Sequence, residues 1–207
     1  MSQSANFSKI YKFYDGINSL LTLGFDKSWR NTASLNLKGK KVLDLGSGTG
    51  AAAKQLINYE VTALDPDENM LSLNEIKNKV VGSAEKLPFE DNSFDGVYCA
   101  FVWRNITDMD KSFAEIKRVL KEDGVFVLLD MTRPVNIFTK TLHQIATFFT
   151  LHLIGIITLN LKQYRFLHTS LDKLDPPEVF LKQSDFNEIS IQRMGIFGFV
   201  YLAVLNN

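Results

Sequence analysis

One short segment, VLDLGSGTGAAAKQL, limits the fold of this chain more than any other part of the sequence. It reads as a strand, a glycine-rich turn and the start of a helix. Gly46, Gly48 and Gly50 let the backbone turn tightly and come close to a ligand that a Cβ atom would exclude. The segment therefore predicts an open α/β sheet that binds a ligand at the carboxyl ends of its strands.

Short apolar runs alternate with helix-period stretches between Lys41 and Leu129, which is the pattern of a parallel sheet covered by helices. The predicted strands span residues 41–45, 60–64, 79–81, 94–101 and 124–130. Two later strands are separated by a turn short enough for an antiparallel hairpin, and they span 188–193 and 199–205. The predicted fold class is α/β.

The clearest predicted helix runs from about residue 109 to about residue 120, because Phe113, Ile116 and Val119 share one face there. Thr107 and Asp110 resemble a capping box at its start. The segments before Lys38 and from Pro134 to about Pro177 are candidates for a cap over the sheet.

The composition argues against several classes of protein. Basic and acidic residues are equal at 23 each, so no global field would hold a nucleic acid. The single cysteine, Cys99, has no partner for an intrachain disulfide, and the N-terminal residues lack the apolar core of a signal peptide. We therefore expect a cytoplasmic protein with no nucleic-acid partner and no metal site.

Residues 141–161 form an apolar segment without Asp, Glu, Lys or Arg, and its length is about that of a bilayer span. Its threonines, histidines, glutamine and asparagine count against insertion. Leu142, Ile145, Phe149 and Leu153 recur at helical spacing. We predict a helix that packs against the sheet or a neighbouring subunit, with contact to an isoprenoid tail and the bilayer as the functional alternative.

Acidic residues flank the glycine-rich turn and limit the ligand. Asp65 follows the next strand, where a carboxylate can accept both hydroxyls of a ribose. Gly46, Gly48 and Ala51 also satisfy the dinucleotide pattern, so the glycine spacing alone leaves a nicotinamide cofactor open. Asp44 would repel a diphosphate and suit a cationic amino acid, which favours S-adenosylmethionine. Small residues after the third strand leave room for its adenine, and these are Ser83 and Ala84, followed by Glu85.

Arg104 and Asn105 follow the apolar run that ends near Phe101. Strand ends in layered α/β folds are where ligands bind, so a guanidinium and an amide there can act on a substrate. Alternatively, Arg104 pairs with a carboxylate at the helix end, either Asp108 or Asp110.

Five segments carry a resemblance to the ubiquinone/menaquinone biosynthesis C-methyltransferase family, within the class I S-adenosylmethionine-dependent methyltransferases. They are YDGINSLLTLGFDKSWR, VLDLGSGTG, SAEKLPFEDNSFD, RNITDMDKSFAEIKRVLKEDGVFVLLDMTRP and YRFLHTSLDKLDPPE. The resemblance implies a Rossmann-like seven-stranded, mostly parallel sheet with an antiparallel C-terminal hairpin and helices on both faces. From the chain length and the order of the predicted elements, we expect one domain over 1–207. Its predicted parts are an N-terminal helical cap (1–37), a cofactor-binding core (38–133), a helical acceptor cap (134–178) and a C-terminal helix with the strand hairpin (179–207).

The resemblance also implies a reaction, the methylation of a ring carbon on a polyprenylated hydroquinone. The cofactor would then be S-adenosylmethionine, and its loop would run through Gly46, Ser47, Gly48, Thr49 and Gly50. Asp65 would bind the ribose, and Ser83 and Ala84 would lie beside the adenine. Arg104 and Asn105 would face the acceptor, Arg104 stabilising a phenolate and Asn105 holding the ring's second oxygen.

Other expectations concern the edges of the site. Tyr14, in an aromatic N-terminal segment, is expected to lie near the sulfonium, with Trp29 as a second candidate. The general base is unassigned among His143, His152 and Asp108. A peripheral membrane contact and a homodimer are compatible with the family.

The sequence departs from the family's pattern in the run before Arg104, in a last strand without histidine and in a shortened helix over 177–186. The altered run reads Ala100, Phe101, Val102 and Trp103. These departures keep another small-molecule acceptor as an alternative, and a nicotinamide-dependent oxidoreductase or a non-catalytic cofactor-binding protein as more distant ones.

Overall fold

The structure, a computed structural model, describes residues 22, 24–157, 168–172 and 174–207. Seven strands form one sheet in the order β3-β2-β1-β4-β5-β7-β6. Their bounds are β1 Lys41–Leu45, β2 Glu60–Asp65, β3 Asn78–Val81, β4 Phe94–Ala100, β5 Leu120–Met131, β6 Glu188–Met194 and β7 Val200–Asn206. Neighbours from β3 to β5 are parallel, whereas β7 runs antiparallel to both β5 and β6.

Helices cover both faces of the sheet. They are α1 Phe25–Ser34, α2 Glu68–Ser72, α3 Met109–Val119, α4 Ile137–Ile157 and α5 Pro177–Phe180. Short 3₁₀ turns lie at Trp103–Asn105, Leu181–Gln183 and Ile196–Gly198. The seven-stranded sheet with its antiparallel C-terminal hairpin confirms the predicted fold class.

Two apolar cores hold these layers together. On one face, α3 packs Phe113 and Ile116 against Phe126 and Leu128 of β5. On the other face, α1 packs Ala33 into a separate cluster of buried residues. Because the central strands are buried on both faces, they read as nearly continuous apolar runs, which is why the sequence located them well.

Three local predictions were wrong. Asp108, one residue later than predicted, caps α3, and its Oδ1 accepts a hydrogen bond from the Lys111 N–H at 3.0 Å. The predicted helix after the glycine loop is a series of turns over residues 51–58, held mainly by hydrogen bonds to the third residue back. Strand β5 begins at Leu120 instead of Gly124, because Leu120 pairs with Phe94 across a register shift.

None of the helices that the structure describes has the length and apolarity that a membrane span requires. Helix α4, which covers most of the apolar segment 141–161, exposes large apolar side chains, among them Phe138, Phe149, Leu153 and Ile156.

Candidate functional site

A cleft of about 360 Å³ opens at the carboxyl ends of β1, β2 and β4. These strands are parallel neighbours, so their last residues meet at one edge of the sheet. Nine of the eleven residues predicted for the cofactor line the cleft, and they are Asp44, Gly46, Ser47, Gly48, Thr49, Asp65, Ser83, Ala84 and Glu85. Asn105 lines it as well.

Gly46 turns the chain sharply at the end of β1. Its φ is +71°, in the left-handed region that favours glycine. A Cβ atom on Gly46 would lie 2.5 Å from Cγ1 of Val102, the second residue after β4. Glycine is thus required here both by the backbone conformation and by the close approach of the neighbouring strand end.

Asp65 connects the end of β2 to the glycine loop. Its Oδ2 accepts a hydrogen bond from the Gly48 N–H at 2.9 Å, and its Oδ1 accepts one from the Asp67 N–H at 2.9 Å. Burial raises the pKa of this carboxyl above its usual range. The two backbone bonds fix the orientation of the carboxylate, so it faces the cleft in one geometry.

Asp44, Ser47 and Asn74 form a buried chain of hydrogen bonds beneath the loop. The Asn74 Nδ2 donates to Ser47 Oγ at 2.7 Å and to the Gly48 carbonyl at 3.2 Å. Since Ser47 Oγ accepts from Asn74, its own proton goes to Asp44 Oδ2 at 2.5 Å. Burial raises the pKa of Asp44 to about 6, against the opposing effects of the Ser47 hydrogen bond and the Arg30 charge.

Asn74 was missed by the sequence analysis, and it explains a glycine that was predicted to bind cofactor. Gly50 has a φ of +86°, and a Cβ atom there would lie 2.5 Å from the Asn74 Oδ1. The structure therefore places Gly50 against the amide that fixes the loop, while Thr49 lines the cleft. Asn74 lies in a polar loop segment, so no signal in its neighbourhood distinguishes it from a solvated side chain.

Glu85 closes the cleft on the side of β3. Its carboxylate accepts a hydrogen bond from the Ser83 hydroxyl and another from the Thr107 N–H at 3.2 Å. Glu85 thus joins the residues after β3 to the start of α3. Ala84, between the two hydrogen-bonded residues, lines the cleft with only a methyl group.

Arg104 and Asn105 lie in the 3₁₀ turn after β4, and the structure separates their side chains. The Arg104 guanidinium forms a buried ion pair with Asp130 of β5, whose Oδ2 also accepts from the Arg104 backbone N–H at 3.1 Å. The predicted alternative partners, Asp108 and Asp110, were wrong. Arg104 is outside the cleft lining, while Asn105 belongs to it and has a buried Oδ1 without a partner in the described part of the chain.

The departures from the family's pattern differ in their distance from the cleft. Ala100, Phe101 and Val102 line it. Trp103 is fully buried and packs against Phe113 and Phe126 in the core below α3. The last strand, β7, runs antiparallel, so its end pairs with the beginning of β5, at the opposite edge of the sheet.

The three candidate bases lie outside the residues that line the cleft. Asp108 caps α3. The Nδ1 of His143 lies 3.4 Å from the Arg133 Nη1. Burial and the charge of Arg133 lower the pKa of His143 to about 4. The ring of His152 is hydrogen-bonded to the Phe148 carbonyl on α4. The base therefore stays unassigned.

Arg133, just beyond β5, joins the sheet to α4 and to Asp172. Its guanidinium forms two hydrogen bonds with Asp172, both 2.9 Å, and a third with the Thr147 hydroxyl of α4 at 2.9 Å. Because β5 is parallel to β4, this attachment lies at the same edge of the sheet as the cleft.

Tyr14 lies outside the described residues, as does most of the predicted N-terminal cap. Trp29 of α1 is buried and packs against Phe25 and Phe199, and it does not belong to the cleft lining. Among the residues that the structure describes, no cluster of potential ligands could hold a metal ion.

The residues present fit S-adenosylmethionine. The cleft approaches the ligand with glycine backbone on one side and carries the carboxylates of Asp44, Asp65, Asp67 and Glu85. Four carboxylates would repel a diphosphate, whereas a nucleoside with a cationic amino-acid tail meets ribose, adenine and ammonium partners there.

Comparisons with known proteins agree with this geometry. The model of the ubiE/COQ5 methyltransferase family matches residues 3–196. The chain is 34% identical to the demethylmenaquinone methyltransferase of Thermotoga maritima, over 90% of this chain and 88% of that protein. It is 32% identical to the ubiquinone/menaquinone biosynthesis C-methyltransferase UbiE of Rickettsia felis, over 91% of this chain and 86% of that protein.

Solved structures show the same fold at low sequence identity. A S-adenosylmethionine-dependent methyltransferase from Thermotoga maritima aligns with a TM-score of 0.70 at 16% identity, over 97% of this chain and 99% of that one. Another, from Aquifex aeolicus, aligns with a TM-score of 0.60 at 18% identity, over 96% and 97%.

Proposed function

Because the chain belongs to the ubiE/COQ5 methyltransferase family, we propose that it methylates a ring carbon of a polyprenylated hydroquinone, a demethylmenaquinol or a ubiquinol precursor. It is an S-adenosylmethionine-dependent methyltransferase, so the acceptor is what the proposal adds. The observation that carries the proposal is the similarity to a demethylmenaquinone methyltransferase along 90% of the chain.

The reaction requires an activated ring and a dry cleft. When bound, S-adenosylmethionine supplies an electrophilic methyl group on a sulfonium. A hydroquinone carbon becomes nucleophilic enough when a neighbouring hydroxyl loses its proton, so the protein must hold the ring and stabilise a phenolate. Donors placed for such an oxygen contribute about 3 kcal/mol each in a site that excludes water.

Asn105 is the acceptor-facing residue in this proposal. Its amide lines the cleft, and its buried Oδ1 lacks a hydrogen-bond partner among the described residues, so it can accept from an acceptor hydroxyl. Leaving such a group unsatisfied is unfavourable, and a bound hydroxyl would remove that cost. The amide NH₂ of Asn105 can donate a hydrogen bond to the same hydroxyl oxygen or to the second oxygen of the ring.

Arg104 acts from behind the turn. Its ion pair with Asp130 offsets much of its charge, so we assign it chiefly to holding the turn Trp103–Asn105 in place. The positive charge that Asp130 does not offset would stabilise the phenolate as well, but to a smaller extent.

We assign the isoprenoid tail and a peripheral membrane contact to the apolar face of α4. Phe138 is 84% exposed and Phe149 is 67% exposed, whereas Leu151 on the opposite side is buried. A contiguous exposed apolar face of this kind is typical of surfaces that contact lipid or protein. Helix α4 is fixed to the cleft edge of the sheet through Arg133, which supports its assignment to the acceptor.

Another small-molecule acceptor stays the alternative from the sequence. Of the features that suggested it, Trp103 lies in the core and the end of β7 lies at the far edge of the sheet, but Ala100, Phe101 and Val102 line the cleft.

The test is transfer of a deuterated methyl group to a demethylmenaquinol with a short prenyl tail, measured by mass spectrometry. We expect methylation of the hydroquinone and little of the oxidised quinone, since only the reduced ring can form a phenolate. Asn105→Ala should lower turnover about a hundredfold, as the loss of an oxyanion partner does. Asn69→Ala, an exposed amide on α2, is the control. Equal rates of methylation for the hydroquinone and the quinone would exclude this acceptor. So would the absence of methylation of either form by protein that binds the cofactor.

A further inference from the structure

Arg30 of α1 is a cleft residue that the sequence analysis did not single out. It lines the cleft with Asp44, is only 7% exposed, and its Nε has no hydrogen-bond partner among the described residues. A buried guanidinium N–H without an acceptor is unfavourable, and an unmatched buried charge is more so. The cleft therefore contains a cation whose donors are suited to an anion brought by a ligand.

Phe101 holds the guanidinium in place. The Arg30 Cζ lies 4.8 Å from the centre of the Phe101 ring, a stacked cation–π arrangement. Phe101 has a φ of +64°, which is rare for a bulky residue, and its N–H donates to the Leu129 carbonyl at 2.7 Å. Strained backbone of this kind concentrates at ligand sites, and here it presents an aromatic face to the arginine.

The charges of the cleft are unevenly distributed. Among the described residues that line the cleft, Arg30 is the one cation. The acidic residues of the lining number four, and they are Asp44, Asp65, Asp67 and Glu85. Arg30 interacts electrostatically with Asp44 but forms no ion pair with it or with another described carboxylate. An ammonium and a carboxylate attached to one carbon would match these two neighbouring, opposite charges.

We propose that Arg30, stacked on Phe101, binds the α-carboxylate of the methyl donor while Asp44 binds its α-ammonium. The inference rests on the placement of the donor in this cleft, and it assigns the two ends of the donor's amino-acid tail to two elements, α1 and β1. Recognition of the carboxylate selects the intact amino acid over nucleosides that lack it. Arg30 contributes two parallel donors of the kind that fit a carboxylate.

The test compares two ligands that differ only in that carboxylate. S-adenosylhomocysteine and its decarboxylated analogue are titrated by calorimetry into the full chain, without acceptor. We expect the wild type to bind S-adenosylhomocysteine about 30-fold more tightly, the range of hydrogen bonds to a charged group. Arg30→Gln should remove most of this preference by weakening only the carboxylate-bearing ligand, and Arg30→Lys should keep part of it.

Two variants control for indirect effects. Lys27→Gln removes an exposed charge from the same helix and should leave both affinities unchanged. Asp44→Asn should weaken both ligands equally, since both carry the ammonium. The thermal midpoint of each variant shows whether it folds.

Several results would overturn the inference. These are equal binding of the two ligands to the wild type, an equal loss of both in Arg30→Gln, or an undiminished preference in both Arg30 variants. Because no acceptor is present, a failure of the proposed hydroquinone reaction would leave this comparison intact. If neither nucleoside binds the wild type, the placement of the donor itself is wrong.

Discussion

The glycine loop and helix α4 lie at the same edge of the sheet and are stabilised in opposite ways. The loop is held by buried hydrogen bonds among Asp44, Ser47 and Asn74 and by the carboxylate of Asp65. Helix α4 is attached through Arg133 and leaves its apolar face exposed. In the proposed assignment, the cofactor side is held in place by its own hydrogen bonds, whereas the acceptor side leaves apolar surface for its ligand to cover.

The same contrast appears in two arginines. Arg104 pairs with Asp130, whose side chain is fully buried, while Arg133 pairs with Asp172, whose side chain is 37% exposed. A carboxylate that loses its partner can be hydrated in the second case only. Substituting Arg104 should therefore lower the free energy of unfolding more than substituting Arg133 does.

Arg104→Met should have the largest effect. It leaves Asp130 charged and buried, so we expect the free energy of unfolding in urea to fall by about 3–5 kcal/mol. The double variant Arg104→Met with Asp130→Leu removes both charges and should recover most of this loss. A double variant as unstable as the single one would show that packing around the turn, and not the ion pair, carries the stability.

Asn74→Leu should come next, because it removes both donors that hold Ser47 Oγ and the Gly48 carbonyl. We expect a loss of about 1–3 kcal/mol in stability and about tenfold weaker binding of S-adenosylhomocysteine. Asn69→Ala, at an exposed position of α2, is the matched control. Unchanged binding in Asn74→Leu would contradict the idea that the loop is fixed in advance.

Arg133→Met should lower stability by about 1–3 kcal/mol, less than Arg104→Met, because Asp172 can be hydrated when its partner is gone. Binding of S-adenosylhomocysteine should stay within twofold of the wild type, while the KM for the hydroquinone rises. Calorimetry and steady-state kinetics separate these readouts. A large loss of cofactor binding would show that the two regions are coupled.

Lowering the pH should weaken cofactor binding through Asp44. Its pKa of about 6 in the folded chain lies above the usual 3.8 because of burial, so protonation removes the ammonium's partner as the pH falls below about 6. The contribution of Asp44 to the free energy of unfolding should change in the opposite sense. It is greatest at a pH below the carboxyl's pKa in the unfolded chain, and it declines as the pH rises through about 6. Titrations from pH 5 to pH 8 should show this dependence in the wild type and a flatter one in Asp44→Asn.

Phe149→Gln should have the smallest effect on the fold. Its side chain is 67% exposed, so the free energy of unfolding should change by less than about 0.5 kcal/mol. If the apolar face of α4 contacts the isoprenoid tail, the KM should rise for a long-tailed acceptor and not for a short one. Equal KM values for both acceptors in the variant and the wild type would remove α4 from the acceptor site.

The sequence predicted the sheet and the cofactor loop because both are encoded locally. The strands are short apolar runs, and Gly46, Asp44 and Asp65 stand at fixed distances from strand ends. The family, the activity and the cofactor implied by those segments are confirmed by the comparisons.

The sequence did not identify residues whose role depends on a contact with a residue far away in the chain, or it suggested a different partner for them. Asn74 lies in a polar loop and Arg30 in an ordinary amphipathic helix, so neither has a local signal. For Arg104, the alternative to an acceptor role was a pairing with a carboxylate nearby in sequence, but Asp130, on the adjacent strand, is the one that the sheet brings to it. The roles of Arg104 and Asn105 toward an acceptor stay predictions.

The position of β7 between β5 and β6 affects how the protein is made on the ribosome. Among the strands that the structure describes, β6 has β7 as its only neighbour, and β5 needs β7 on its outer side. During synthesis from the N-terminus, both strands leave the ribosome with unpaired edges until residues 200–206 follow. Unpaired edges promote association between chains, so nascent copies of this protein should depend on chaperones until that last strand is inserted.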